Sequence, residues 1–186
     1  MADGIETTDD TPDRPMSLLG LGVIGLTIAA DQVTKAWAET ALEYGQAIDL
    51  LPVLSLFRVH NTGIAFSLLG DVGKIGLFAL TLSVVALVLV IWHRTADGGH
   101  FAAIGYALIV GGAFGNIADR VSYGHVVDFL LLRLGDWPLF VFNLADVALT
   151  IGPILLIMVM MTPTRRAARR VRYRAARVAR EARESQ

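Results

Sequence analysis

The chain contains no cysteine, and its four histidines are scattered along 186 residues. Without cysteine there is no disulfide framework, no thiol nucleophile and no cysteine-ligated metal. The histidines form no HxH or HxxxH pair, so their spacing does not predict a metal site, and we expect neither a metal nor a cofactor. Charge is scarce as well, because residues 75–92 contain no charged side chain. A run of that length argues against a soluble domain.

Apolar residues dominate the composition. They make up 54% of the chain, and the mean hydropathy is +0.57. A helix needs about 20 apolar residues to cross a bilayer core of about 30 Å. Four segments meet that requirement, at residues 16–38, 74–92, 101–118 and 139–161. The sequence therefore predicts an all-α membrane protein with one domain over residues 16–163.

The two terminal segments of the chain differ in charge, and this difference predicts the orientation of the protein in the membrane. Residues 1–15 hold five acids and one arginine, which indicates a disordered acidic extension, whereas residues 164–186 hold nine arginines. Basic residues stay on the cytoplasmic side, so this tail and, with four spans, the N-terminus are expected there. Residues 39–73 and 119–138 then face outward. Pro52, Gly63 and Gly70 break the first of these segments into β-like strands or an interfacial stretch.

Two acids at the predicted outer ends of the spans have basic residues close by. Asp31 and Lys35 form an i, i+4 pair in the first span, which is consistent with mutual neutralisation. Asp119 directly precedes Arg120 at the end of the third span, where a structural ion pair or a polar network at the helix end is the simplest explanation. Charges at membrane depth usually pair or line a cavity, so both sites also remain candidates for function.

Asp128 and Asp146 have no basic residue within four positions. If they meet in a poorly solvated site, both cannot ionise cheaply, and one proton is shared between them. Such a pair suits general acid–base catalysis and would titrate as a unit. A proton or ion path is the main alternative, and a non-enzymatic scaffold with a lipid-binding basic tail is another. We expect Asn116 and Asn143, three residues before acids, to support them by hydrogen bonding.

Five short blocks in this order give the chain a specific resemblance. It resembles lipoprotein signal peptidase (signal peptidase II), a family of bacterial membrane aspartyl peptidases. Each block alone would be weak evidence, but all five occur in order among four predicted spans. The blocks are Asp31–Lys35, Asn61–Phe66, Gly115–Arg120, Gly124–Phe129 and Phe142–Asp146.

The resemblance implies a fold, a set of site residues and a reaction. The fold would be a four-helix membrane bundle with a small extracytoplasmic β-cradle and a short periplasmic helix. The catalytic pair would be Asp128 and Asp146. Supporting or substrate-binding roles would fall on Asn116, Asp119, Arg120, Asn143, Asp31, Lys35 and Asn61.

The implied reaction removes the signal peptide from a prolipoprotein by hydrolysis just before its diacylglyceryl-modified cysteine. The expected partners are that substrate and membrane lipids, with no nucleic acid, and the chain is expected to act as a monomer. The implied location is the bacterial cytoplasmic (inner) membrane, with both termini in the cytoplasm. The active site would lie near the outer, periplasmic face.

Overall fold

The computed structural model describes residues 18–63, 70–94 and 99–162. The predicted acidic extension and the arginine-rich tail lie outside these residues. Four long helices and four strands make up the described chain. The helices are α1 (Leu18–Ala41), α2 (Gly70–Arg94), α3 (Gly99–Tyr123) and α4 (Leu144–Met161).

All four helices are long and apolar enough to cross a membrane, so the prediction of four apolar helices is confirmed. The fourth helix begins at Leu144, whereas the sequence predicted a span from residue 139. Residues 139–142 belong instead to a strand, because their backbone pairs with the preceding strand. A short apolar run does not distinguish a strand from a helix, and here strand pairing decides the outcome.

Helix α3 lies at the centre of the bundle. In its most apolar window 72% of the residues are buried, against 11–17% in the other three helices. Small residues allow its neighbours to approach closely. A Cβ added to Gly115 would lie 2.5 Å from Asp31 Oδ2 in α1, and one added to Gly112 would lie 2.5 Å from the Ala145 carbonyl oxygen in α4. These glycines set the distances at which the polar side chains of three helices meet.

The strands form one antiparallel sheet in the order β1-β2-β3-β4. They are β1 (Ala47–Leu51), β2 (Leu54–Asn61), β3 (Val126–Leu134) and β4 (Trp137–Phe142). The all-α label is therefore wrong, whereas the expectation of strands between the first two spans is confirmed. Residues 42–63 hold strands and turns. Residues 64–69, which belong to the segment expected to contain the short periplasmic helix, lie outside the described residues.

The sheet joins two segments that are distant in sequence. Strand β2, which follows α1, pairs with β3, which follows α3, and Val59 lies opposite Asp128 in that pairing. Buried Phe129 packs with Ala38 of α1, and Leu144 at the start of α4 packs against this cluster. The sheet is thus fixed on the helices next to the start of α4, where the predicted site residues lie.

Candidate active site

Asp128 lies on β3, a few residues after the end of α3. Gly124 makes the turn between them with φ +76°, a conformation that glycine adopts without strain, and its N–H donates to the Arg120 carbonyl oxygen at 3.1 Å. The Asp128 side chain is 2% exposed. Asn143 Nδ2 donates to its Oδ1 at 2.6 Å, and Asn61 Nδ2 donates to its Oδ2 at 3.0 Å. Both carboxyl oxygens are therefore held in place.

Asp146 lies in the first turn of α4, where its orientation is fixed by a capping box. The Asp146 N–H donates to Asn143 Oδ1 at 3.1 Å, and the Asn143 N–H donates to Asp146 Oδ2 at 3.2 Å. The capping box thereby pairs two of the N–H groups at the start of the helix that have no partner within it. The sequence placed Asp146 about seven residues into the fourth span, but the later start of α4 moves it to the N-terminal turn.

The asparagines connect the two acids. Asn143 contacts Asp128 through its Nδ2 and Asp146 through its backbone N–H and Oδ1. Asn116 of α3 donates from Nδ2 to Asp146 Oδ1 at 2.9 Å, and its Oδ1 accepts from Asn143 Nδ2 at 3.2 Å. Because Asn143 donates to both carboxylates, from its side chain to Asp128 and from its backbone to Asp146, the structure brings the two acids into a single network.

Lys35 forms a buried ion cluster beside this network. Its Nζ lies 2.8 Å from Asp31 Oδ2 and 3.0 Å from Asp119 Oδ2, and it donates to Asn116 Oδ1 at 2.9 Å. None of these four side chains is more than 6% exposed. Among the described residues Asp119 forms its ion pair with Lys35 rather than with Arg120, so the predicted ion pair between neighbours is wrong. The alternative, a polar network at the end of the helix, fits the contacts of Asp119 with Gln32 and the Val127 N–H.

The acids of the ion cluster hold the backbone on both sides of the pair. Asp31 Oδ1 accepts from the Ala145 N–H at 2.9 Å, directly before Asp146. Asp119 Oδ2 accepts from the Val127 N–H at 3.1 Å, directly before Asp128. Lys35 therefore forms ion pairs with both carboxylates that position the chain next to each acid, which gives this cluster a positioning role.

Arg120 lies close to the same network. Asp146, Asp128 and Asp119 are the acids whose charges act on its guanidinium, which is partly exposed. Sequence reasoning missed Gln32, which donates from Nε2 to Asp119 Oδ1 at 2.8 Å and to the Gly115 carbonyl oxygen at 3.2 Å. The sequence pointed to Gln32 only through its position next to Asp31, directly after the uncharged first part of α1.

The pKa of Asp128 is raised to about 6, chiefly by burial and in part by the charge of Asp146. Hydrogen bonds from Asn61 and Asn143 and the charge of Lys35 oppose this rise. A protonated carboxyl group keeps acceptor capacity on both oxygens, so Asp128 can carry a proton without losing its amide donors. The arrangement can therefore hold one acidic proton next to a second carboxyl group.

The matching family model is the one described as signal peptidase (SPase) II, and it covers residues 23–162. Curated relatives named lipoprotein signal peptidase, from Brucella ovis and Brucella canis, are 50% identical to this chain over 138 residues. The matched region covers 74% of this chain and 86% of each relative. Residues 23–162, which the family model matches, include every site residue named above.

Two solved structures have the same fold. Both are described as bacterial membrane enzyme structures obtained by the in meso method. One has a TM-score of 0.69 and 29% sequence identity, and the match covers 77% of this chain and 92% of the chain in that structure. The other has a TM-score of 0.65 and 30% identity, with coverages of 76% and 87%. The resemblance in the sequence is thus confirmed by the family model, the relatives and the fold: the chain belongs to the signal peptidase II family.

Proposed function

We propose that this protein is an aspartic endopeptidase that removes signal peptides from prolipoproteins, cleaving just before the diacylglyceryl-modified cysteine. Family membership supports the substrate class. The observation that carries the aspartic mechanism is the contact of Asn143 with both Asp128 and Asp146. A buried acid with a raised pKa next to a second carboxyl group can supply a general acid and a general base at the same place.

In the proposed reaction, the pair holds a water molecule and shares one proton. The ionised carboxylate removes a proton from the water as its oxygen bonds to the scissile carbonyl carbon, while the protonated carboxyl group donates to the carbonyl oxygen. The C–N bond then breaks, and a proton from the pair passes to the leaving amine. The products are a carboxylate on the signal peptide and a free amine on the modified cysteine. No covalent intermediate and no metal is required.

The supporting residues orient these groups. Asn61 and Asn143 hold the two oxygens of Asp128, and Asn116 holds Oδ1 of Asp146. We assign Arg120 to the substrate backbone, because its guanidinium is partly exposed and lies within the field of both acids. All of these groups come from one chain, which supports a monomer as the functional unit.

The proposed topology places the site near the outer face of the cytoplasmic membrane, with both termini in the cytoplasm. The arginine-rich sequence after the fourth span supports this orientation. The acids gather where the sheet meets one end of the bundle. A lipidated peptide in the outer leaflet would reach that end laterally while its acyl chains remain in the lipid.

A proton-coupled transporter is the alternative that intramembrane acids most often indicate. A proton path needs groups distributed through the membrane depth. Here the buried acids Asp31, Asp119 and Asp128 all belong to connected contacts at one end of the bundle. The opposite end is an apolar core that includes Trp92, Tyr106 and Val110. This distribution favours the peptidase.

The decisive experiment follows cleavage of a diacylglyceryl-modified prolipoprotein by purified protein in detergent. We expect Asp128→Asn and Asp146→Asn each to lower the rate by about 1,000-fold or more, since each removes a group that transfers a proton. Asp136→Asn is the matched control, because Asp136 lies exposed at the turn between β3 and β4 and should leave the rate unchanged.

Thermal unfolding of each variant in the same detergent separates loss of chemistry from loss of fold. Full activity in either folded variant would remove that acid from the mechanism. A requirement of the wild-type protein for an added divalent metal would contradict the metal-free reaction. A wild-type protein that never cleaved the lipidated substrate would contradict the proposed function itself.

A further inference from the structure

A second polar cluster lies at the end of α1, apart from the network around Asp128. It consists of Glu39, His60 and His125, each of which offers one ligand atom, and these atoms all lie within 4.8 Å of one another. His60 Nε2 is 2.7 Å from Glu39 Oε1, and the rings of His60 and His125 are stacked with their centroids 4.0 Å apart. The two histidines are distant in sequence, and the pairing of β2 with β3 brings them together.

The cluster and Asp128 are contacted from opposite faces of β2. Successive side chains in a strand point to opposite faces of the sheet. Asn61 donates to Asp128, whereas its neighbour His60 contacts Glu39. Among the described residues, no hydrogen bond joins this cluster to the network of the acids. The cluster is therefore not explained by the proposed peptidase chemistry.

We propose that Glu39, His60 and His125 form a binding site for a divalent transition-metal ion, most suitably zinc. Two imidazoles and one carboxylate are a donor set that proteins use for zinc, with water in the fourth position. Imidazole also binds copper and nickel, whereas magnesium and calcium prefer oxygen ligands. The chemistry of the donors thus selects a transition metal.

The geometry requires one local adjustment. Ligands of a tetrahedral zinc ion at about 2.0 Å lie about 3.3 Å from one another. His60 and Glu39 are already closer than this, so a metal would separate them slightly. The planes of the two imidazole rings differ by 27°, and the His125 ring must turn for both nitrogen lone pairs to point at one ion. All three side chains are partly exposed, which leaves room for that rotation.

Arg58 orients the carboxylate of the site. Its Nη1 lies 2.8 Å from Glu39 Oε2, which leaves Oε1 as the metal ligand. Partners that hold the second oxygen of a ligating carboxylate fix its orientation. The guanidinium also repels a cation, so the affinity should be lower than that of a four-ligand structural zinc site. The bound ion would join the end of α1 to β2 and to the residue before β3.

Zinc titration of purified protein in detergent tests the site. The protein must carry no histidine tag, and bound metal is first removed with a chelator. We expect one zinc ion per chain, competed by a chromogenic chelator, and an increase of several degrees in the unfolding temperature. His60→Asn and His125→Asn should each weaken binding by at least about 10-fold. His93→Asn, at the exposed end of α2, is the matched control and should bind like the wild type.

Cobalt provides a readout that does not depend on the folding of a variant. Co²⁺ bound to the wild-type protein should show the d–d absorption of a tetrahedral nitrogen and oxygen site, and zinc should displace it. Absence of stoichiometric zinc, or equal zinc affinity in the wild type and His60→Asn, would overturn the proposal. The site is structural, so the chelated protein should still cleave its substrate. Failure to bind zinc would leave the aspartic mechanism untouched.

Discussion

Two ion-pair clusters in this protein have nearly the same distances and very different surroundings. Lys35 Nζ lies 2.8 Å from Asp31 and 3.0 Å from Asp119, and none of these side chains is more than 3% exposed. Arg58, whose side chain is 16% exposed, lies 2.8 Å from Glu39, whose side chain is 36% exposed. Water screens the second pair, whereas the first depends entirely on its partners. Distance alone would rank them equally, so burial decides which cluster matters for stability.

The buried cluster is also the one that reaches the acid pair. Asp31 and Asp119 accept hydrogen bonds from the backbone N–H groups of Ala145 and Val127. Loss of Lys35 would leave two adjacent buried carboxylates without a cation. The positions of Asp128 and Asp146 would then change as well, because the same two carboxylates hold the backbone directly before each of these acids.

Lys35→Met should therefore have the largest effect on stability. We expect a loss of about 3–5 kcal/mol in the free energy of unfolding, because the substitution removes one partner of a buried ion pair and leaves the others. Cleavage by the remaining folded protein should fall as well. Denaturant unfolding in detergent measures the change. A loss below about 1 kcal/mol would mean that the cluster is solvated.

The pH dependence of stability should follow Asp128. Burial raises its pKa to about 6 from an ordinary value of 3.8, so the folded protein binds this proton more tightly than the unfolded chain does. The stability contributed by that proton is fully present below pH 3.8 and is lost as the pH rises through about 6. The loss corresponds to about 3 kcal/mol.

Asp128→Asn removes this titration and provides the comparison. Between pH 4 and pH 7 the wild-type unfolding temperature should fall relative to that of the variant. Asp49, on the exposed strand β1, shows the opposite behaviour, because a hydrogen bond from Ser55 lowers its pKa. Parallel curves for the wild type and Asp128→Asn would contradict a raised pKa at Asp128.

Gly115→Ala tests the close packing beneath the buried cluster. The added methyl group would lie 2.5 Å from Asp31 Oδ2, the oxygen that pairs with Lys35, so the Asp31 carboxylate must shift. We expect a loss of about 1–3 kcal/mol from overpacking, measured by denaturant unfolding. Gly25→Ala is the matched control, because a Cβ there meets no atom within 4 Å. Equal stability of the two variants would show that α1 and α3 separate without cost.

Arg58→Met should have the smallest effect. The Arg58–Glu39 pair is partly exposed, and water-screened pairs contribute about 0–1 kcal/mol, so the unfolding free energy should change by about that much or less. The same measurement made on Lys35→Met and Arg58→Met compares the two clusters directly. Similar losses in the two variants would remove the distinction between buried and exposed pairs.

The sequence predicted the helices better than the contacts between them. Uninterrupted apolar runs predict membrane helices because hydrocarbon excludes unpaired backbone groups, and all four were found. The apolar run that begins at residue 139 is compatible with a helix or a strand. Its pairing with β3 shows that its first residues form a strand.

The partners of individual charges were harder to predict. Arg120 was the nearest base to Asp119 in sequence, but Lys35 reaches Asp119 from another helix. Local spacing cannot reveal such a contact, because it depends on the distance that Gly115 allows between α1 and α3. For the same reason the spacing of His60 and His125 in the sequence does not predict their contact, which depends on the pairing of β2 with β3. The acids Asp128 and Asp146 were identifiable because neither had a local base.

A single turnover in ¹⁸O-labelled water tests the central claim most directly. If a water held between Asp128 and Asp146 attacks the peptide bond, one ¹⁸O atom should appear in the new carboxylate of the released signal peptide. Neither aspartate should carry the label after that turnover, as mass spectrometry of the digested protein would show. Label in Asp128 or Asp146, with an unlabelled signal peptide, would indicate an acyl-enzyme intermediate and contradict the mechanism.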